Sequence, residues 1–189
     1  KVFSGTLELS HNLNNGPYIQ VGSLSNQYTA SSIKPELIAK WSDKWVTKAH
    51  IEHHFISDKN QKKQMDLSTL YGISTGTPWI WLGLGAEKLS YSKRSDIYWS
   101  PSEFYSFGPR VELAAPIVGA FTVITGLNAN RLYDKDSKSW GRGYYFSGRL
   151  QYGNRNDLNI STELIRIESI QNGKTWDSNQ FGLNISVPF

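Results

Sequence analysis

Apolar and polar side chains alternate one by one along most of this chain. In residues 44–57, Trp45, Thr47, Ala49, Ile51 and Phe55 fall on one side, and Lys48, His50, Glu52 and His54 on the other. In 102–115, Tyr105, Phe107, Val111 and Leu113 oppose Ser106, Gly108, Arg110 and Glu112. In 142–153, Tyr144, Phe146, Leu150 and Tyr152 oppose Tyr145, Ser147, Arg149 and Gln151. A period of two is the mark of an extended strand with unlike faces. It predicts about ten strands of the length a tilted barrel needs, near 2–10, 17–27, 44–57, 65–75, 78–90, 102–115, 118–130, 142–153, 156–168 and 178–189.

Turn chemistry separates these segments, at Asn14-Asn15-Gly16, Asp58-Lys59-Asn60, Thr75-Gly76-Thr77-Pro78, Ala115-Pro116, 153–157 and Gln171-Asn172-Gly173. The weak point is 31–41, where Pro35 interrupts the run. A short helix or ordered loop is expected there, within a long link over 28–43. No repeat, linker or low-complexity tract divides the 189 residues, so one domain over 1–189 is expected.

Alternation alone fits a soluble β-sandwich as well as a membrane barrel, because it does not say which face looks inward. Composition favours the barrel. Only 39% of the chain is hydrophobic, yet it carries seven Trp and ten Tyr. A barrel with an apolar outside, a polar inside and aromatic rims uses such a mixture. No stretch approaches the length of a transmembrane helix. There is no Cys, which removes disulfides and thiolate zinc sites. The formal charge of +4 forms no basic stripe, so nucleic acid is not an expected partner.

The end of the chain sharpens the choice. Phe181, Leu183, Ile185, Val187 and Phe189 share one face of the last segment, and Gln180, Gly182, Asn184 and Ser186 the other. This resembles the insertion signal of outer-membrane barrels, with Gln180, Gly182, Ile185, Val187 and terminal Phe189 in its places. The resemblance implies recognition by the barrel-assembly machinery. A closing strand of this kind must keep charge off its lipid side. Pro188 departs from the pattern at a strand end, where a missing N–H costs least.

A second resemblance lies in Tyr98-Trp99-Ser100-Pro101-Ser102-Glu103-Phe104-Tyr105-Ser106-Phe107-Gly108. The aromatic-Ser-Pro-x-x-aromatic run is similar to one in the C-terminal barrels of the cellulose-synthase export proteins and related exopolysaccharide exporters. It covers about the last half of the chain. It implies passive passage of a polysaccharide, with no catalytic residue. Those barrels have more strands than this chain supplies.

The resulting expectation is an all-β, antiparallel up-and-down transmembrane β-barrel, complete or an arc of a larger one, in the bacterial outer membrane. Its C-terminus is expected in the periplasm. Outward loops are then expected near 11–16, 58–64, 91–101, 131–141 and 169–177, and short inward turns near 75–78, 115–118 and 153–157. The loop cations Lys59, Lys62, Lys63, Lys93, Arg94, Arg131, Lys135, Lys138 and Lys174 suit lipopolysaccharide phosphates, although Asp58, Asp96, Asp134 and Asp136 dilute them. The expected lumen-lining residues are Lys48, His50, Glu52, Asp66, Glu87, Arg110, Glu112, Arg149, Glu163 and Arg166, together with Glu8.

The expected function is a passive channel or export pore, with the lipid bilayer, lipopolysaccharide and a polysaccharide as partners and no cofactor or metal. Three alternatives stay open: a small closed barrel serving as anchor, adhesin or receptor; a barrel hydrolase using His50 and Glu52; and a soluble sandwich that binds a ligand. His50, Glu52 and His54 are spaced for a metal or a general base. Trp79 and Trp81, on one face with Gly83, Gly85 and Glu87, are spaced to stack sugars.

Overall fold

The computed structural model describes residues 2–14, 29–74, 76–96, 98–152, 159–171 and 174–186. They form ten strands: β1 (Val2–Asn14), β2 (Thr29–Ser42), β3 (Trp45–Ile56), β4 (Gln61–Ser74), β5 (Trp79–Tyr91), β6 (Phe104–Pro116), β7 (Phe121–Asp134), β8 (Ser139–Tyr152), β9 (Asn159–Gln171) and β10 (Lys174–Ser186). All ten join one antiparallel sheet in chain order, each strand paired with its sequence neighbours. Among the described residues β1 and β10 carry the two edges of this sheet and are not paired with each other.

The strands are 12–14 residues long. That is somewhat more than a tilted strand needs to cross a bilayer. One end of the sheet carries short connections, at 43–44, 75–78 and 117–120. The other carries 57–60, 92–103 and 135–138. These are called the turn end and the loop end below.

The sequence expectation fails most clearly at β2. The expected strand 17–27 lies outside the described residues. The expected helix or link over 31–41 is strand throughout. Ile33, Pro35, Leu37, Ala39 and Trp41 alternate with Lys34, Glu36, Ile38 and Lys40, polar except at Ile38, and Pro35 disguised the pattern. The structure shows how it is tolerated. Pro35 keeps its place opposite Leu7 of β1. On the other side the ladder to β3 omits 34 and 35 and resumes in register, Ile33 with His53 and Glu36 with His50. A proline lacks one donor, so one ladder opens while the other continues. Pro109 repeats this, paired with Leu84 of β5 and omitted from the ladder to β7.

The long link expected at the turn end becomes the tight turn Asp43-Lys44. Three supposed loops also shorten. Lys62 and Lys63 lie on β4, Arg131 on β7, and Lys174 on β10. The strands run past the apolar band at the loop end, and their polar tips had read as loop.

The two faces differ in kind. Leu7, Leu37, Ile51, Leu67, Leu84, Leu127, Leu164, Phe181 and Leu183 all stand on one face and are exposed. The opposite face carries most of the charge. Ion pairs decide how the sheet curls. Lys48 Nζ of β3 reaches Glu112 of β6 at 3.1 Å, across β4 and β5. In a flat sheet those two backbones would lie about 14 Å apart, at the limit of both side chains. Arg110 of β6 likewise pairs with Asp66 of β4 across β5. Side chains converge on the concave side of a curved sheet and diverge on the convex side. The polar face is therefore the concave one, and the apolar face looks outward.

Glycine permits one of these contacts. A Cβ at Gly85 would collide with the Arg110 guanidinium. Bare backbone at this position lets Arg110 lie over β5 toward Asp66. We expect Gly85→Val to push Arg110 off Asp66 and to cost roughly 1–3 kcal/mol, the penalty for stranding a partly buried polar group. Urea unfolding in detergent micelles measures it, and an unchanged midpoint would contradict this role for the glycine.

Candidate functional site

The concave face is built in layers. Nearest the turn end, Val46, Leu70 and Trp81 are buried together, with Ile38 packed against them. Nearest the loop end, Ala30, Ile56, Leu89, Tyr91 and Tyr98 form a second buried cluster, flanked by Phe104. A polar belt lies between. It arises because each strand from β3 to β6 places an ionisable or hydroxyl residue at the same height on its inward face. His50, Asp66, Glu87 and Ser106 are successive partners across β3 to β6.

Most charges in the belt are paired. Glu52 sits between two imidazoles, 2.9 Å from His50 Nε2 and 2.9 Å from His54 Nε2. Lys62 Nζ lies 3.6 Å from the same carboxylate, and its side chain is only 4% exposed. Gln64 donates to Glu87 at 2.8 Å. Lys48–Glu112 and Arg110–Asp66 complete the belt. Lys34 and Glu8 make a further pair at 2.9 Å, out toward the β1 edge. Among the described residues no cluster of three His, Asp or Glu is arranged to hold a metal ion. The His50–Glu52–His54 group is a carboxylate shared by two rings, with a lysine beneath it.

The expected lumen residues Lys48, His50, Glu52, Asp66, Glu87, Arg110 and Glu112 all stand on this concave face. Positions Arg149 and Glu163 face one another across β8 and β9 on the same side. Arg166 does not join them. It pairs with Phe146 and Asn179, on the outer face with Leu164. Positions 163 and 166 are an odd number apart, so a strand turns them to opposite sides. Gln180, Gly182 and Ile185 of the expected assembly signal lie on β10. Val187 and Phe189 fall outside the described residues. Trp81 is buried in the turn-end cluster with its ring 5.4 Å from Trp79.

Residues that the sequence did not single out organise the loop end. Asn60, 3% exposed, ties segment 92–103 to the β3–β4 turn. Its Oδ1 accepts from the backbone N–H groups of Gln61 and Lys93 and from Ser92 Oγ. Its Nδ2 donates to Lys93 O and to Tyr98 Oη. The Tyr98 hydroxyl donates to Asp58 at 2.8 Å. Burial, and then the Asp58 carboxylate, push the Tyr98 hydroxyl pKa up. On its other side the segment is held by Asp136, which accepts from Ser102 N and Ser102 Oγ and pairs with Arg94 at 3.2 Å. The Trp99-Ser100-Pro101 motif sits within this fastened segment. Ser100 Oγ accepts from Ser95 N, and Pro101 O from Tyr91 N. The one available signal was the Asp58-Lys59-Asn60 turn, whose side chains favour such local bonds.

The convex face has two belts of rings around an apolar waist. At the turn end Phe3 meets Trp41 at 5.9 Å and Phe121 meets Tyr152 at 4.9 Å. Trp41 Nε1 donates to Thr47, and Trp45 Nε1 to Thr69. At the loop end Trp140 lies 4.9 Å from Tyr133 and 6.2 Å from Phe107. Rings with one polar atom suit the border between hydrocarbon and headgroups.

No family model matches this sequence, and no curated protein matches it. A solved structure described as a bacterial polysaccharide outer membrane secretin matches with a TM-score of 0.81 at 11% identity. The match covers 99% of this chain, which spans 65% of the length of that one. At this identity the likeness speaks to fold. The fold that this chain shares with that secretin is an antiparallel, up-and-down all-β sheet.

Just outside β6, Glu103 accepts from Lys135 Nζ at 2.9 Å, from Tyr105 Oη at 2.8 Å and from Lys88 Nζ at 3.3 Å. Lys135, followed by Tyr105, holds its carboxyl down to about 2. A carboxyl depressed by folding stabilises the fold above its ordinary range, and that contribution is lost as pH falls through its folded value. An NMR titration of the Glu103 side chain in micelles should give a midpoint of about 2. A midpoint in the ordinary glutamate range would show that the tie between the β5–β6 and β7–β8 connections is not made.

Proposed function

We propose that the sheet is the wall of an outer-membrane β-barrel, and that it serves as a passive export channel for a polysaccharide. The observation that carries this reading is the concave polar belt, set behind an apolar convex face with two aromatic borders. A spanning sheet leaves no edge unpaired in hydrocarbon. In this reading the β1 and β10 edges are closed, with each other or with further strands. The likeness to the polysaccharide outer membrane secretin supports export as the role. The wall then meets the bilayer and lipopolysaccharide outside and the polysaccharide inside. The C-terminus is periplasmic, and the barrel-assembly machinery acts on the β10 signal Gln180, Gly182, Ile185, Val187 and Phe189.

A second reading rests on a different observation. From β2 to β6 the concave side is filled by two apolar clusters and by paired charges. A barrel filled that way all round would be closed, and would act as a surface anchor or receptor. Conductance across planar bilayers separates the two. An export channel gives discrete ion-current steps, and Glu112→Lys, which replaces the partner of Lys48 with a cation, shifts their cation–anion selectivity toward anions. Inserted protein with no current would sink the channel and leave the closed barrel.

A further inference from the structure

Arg131 of β7 and Arg142 of β8 are direct partners in the ladder, and both are exposed on the convex face. Like charges set directly opposite each other destabilise a strand pair. Among the described residues neither guanidinium has an ion-pair partner. On the β6 side Arg131 is paired with Phe107, and the next rungs on either side hold Tyr133 with Trp140 and Ala129 with Tyr144. Of the two acid positions on this face, Glu168 stands diagonal to Arg142 on β9, opposite Tyr144, and Asp177 is the ladder partner of Glu168 on β10. Two cations are thus held side by side at the aromatic border of the loop end.

Directly below them, toward the turn end, lies a groove of about 350 Å³. Pro109, Leu127, Ala129, Tyr144, Phe146 and Arg166 line it. It forms where the short side chains of Pro109 on β6 and Ala129 on β7 lie beside Tyr144 and Phe146 of β8. A slot lined mainly by apolar and aromatic side chains, with Arg166 at its β9 side and paired guanidiniums at its head, is complementary to an acyl chain headed by a phosphate. Arginine binds phosphate through two parallel N–H···O bonds, and one phosphate between two arginines turns repulsion into attraction.

We propose that this surface is a specific site for a phosphorylated, acylated lipid. A phosphate monoester of lipid A sits between Arg131 and Arg142, and an acyl chain lies in the groove between β6 and β9. The site rests on the reading above that the convex face meets lipid and that the loop end faces the outer leaflet.

The test uses the full chain refolded in neutral detergent and titrated with diphosphoryl lipid A, dephosphorylated lipid A or phosphatidylglycerol. Thermal unfolding and native mass spectrometry are the readouts. Diphosphoryl lipid A should raise the unfolding midpoint and be retained as a one-to-one complex. The dephosphorylated lipid and phosphatidylglycerol should do neither. R131Q/R142Q should weaken lipid A binding about tenfold or more, the scale of a lost bidentate phosphate contact. R142E should neutralise the pair internally. It should unfold at the same or a higher midpoint in detergent alone, yet lose the response, which separates lipid binding from damage to the fold. An equal response in R142E, an equal response to the control lipids, or no response in the native chain overturns the site. A chain that enters bilayers without responding to lipid A sinks the site alone. A chain that enters no bilayer sinks the barrel reading along with it.

Discussion

An ammonium on β3 and a carboxylate on β6 meet across two intervening strands, and the rest of the structure follows from the curl this contact reports. Lys48 and Glu112 are each about one-third exposed, so the pair adds little stability by itself. Its value is geometric. It fixes which face is concave, and with it where the apolar side chains point. Arg110 and Asp66 repeat the contact on a shorter span, over the bare backbone of Gly85. With charge turned inward, the large apolar residues face out. In water, an outward surface of Leu, Ile and Phe this broad would be a liability. In hydrocarbon it is the stable arrangement.

The concave side is not uniform. From β2 to β6 most charges have a partner, and apolar clusters close both ends of the belt. From β7 to β8 the inward positions are small or uncharged for most of their length: Gly126, Asn128, Asn130, Gly143, Tyr145 and Ser147. One arc is braced and the next is slim. In the proposed export channel, ion pairs would stiffen one side of the wall and short side chains would leave room on the other. At the loop end, segment 92–103 is fastened by Asn60 on one flank and by Asp136 on the other, so this edge of the sheet is held in place.

Much of this was legible in the residues. Strict alternation in β3, β6 and β8 marked the strands and assigned Lys48, His50, Glu52, Arg110 and Glu112 to one face. Aromatic content pointed to rims. What alternation does not carry is the sign of curvature, because both faces of a flat sheet obey the same period. Contacts between strands far apart in sequence supply it. Pro35 hid β2, since a proline is read locally as a break, whereas the sheet absorbs it by opening a single ladder. Arg166 was assigned by its charge and not by its parity. The Asn60 hub was invisible because its partners, Ser92, Lys93 and Tyr98, lie more than thirty residues away. The Arg131–Arg142 pair could not be seen without the register of β7 on β8.

The central claim is that the apolar side of the sheet looks out at lipid while the charged side encloses water. The chain has no Cys, so single cysteines report cleanly. Bimane attached at Leu84→Cys on the convex face and at Ser147→Cys on the concave face, in protein reconstituted into bilayers, reads the two environments directly. The account predicts quenching at position 84 by brominated acyl chains and not by aqueous iodide, with the reverse at 147. Iodide quenching at 84 with lipid quenching at 147, or no lipid quenching at either position, would contradict it.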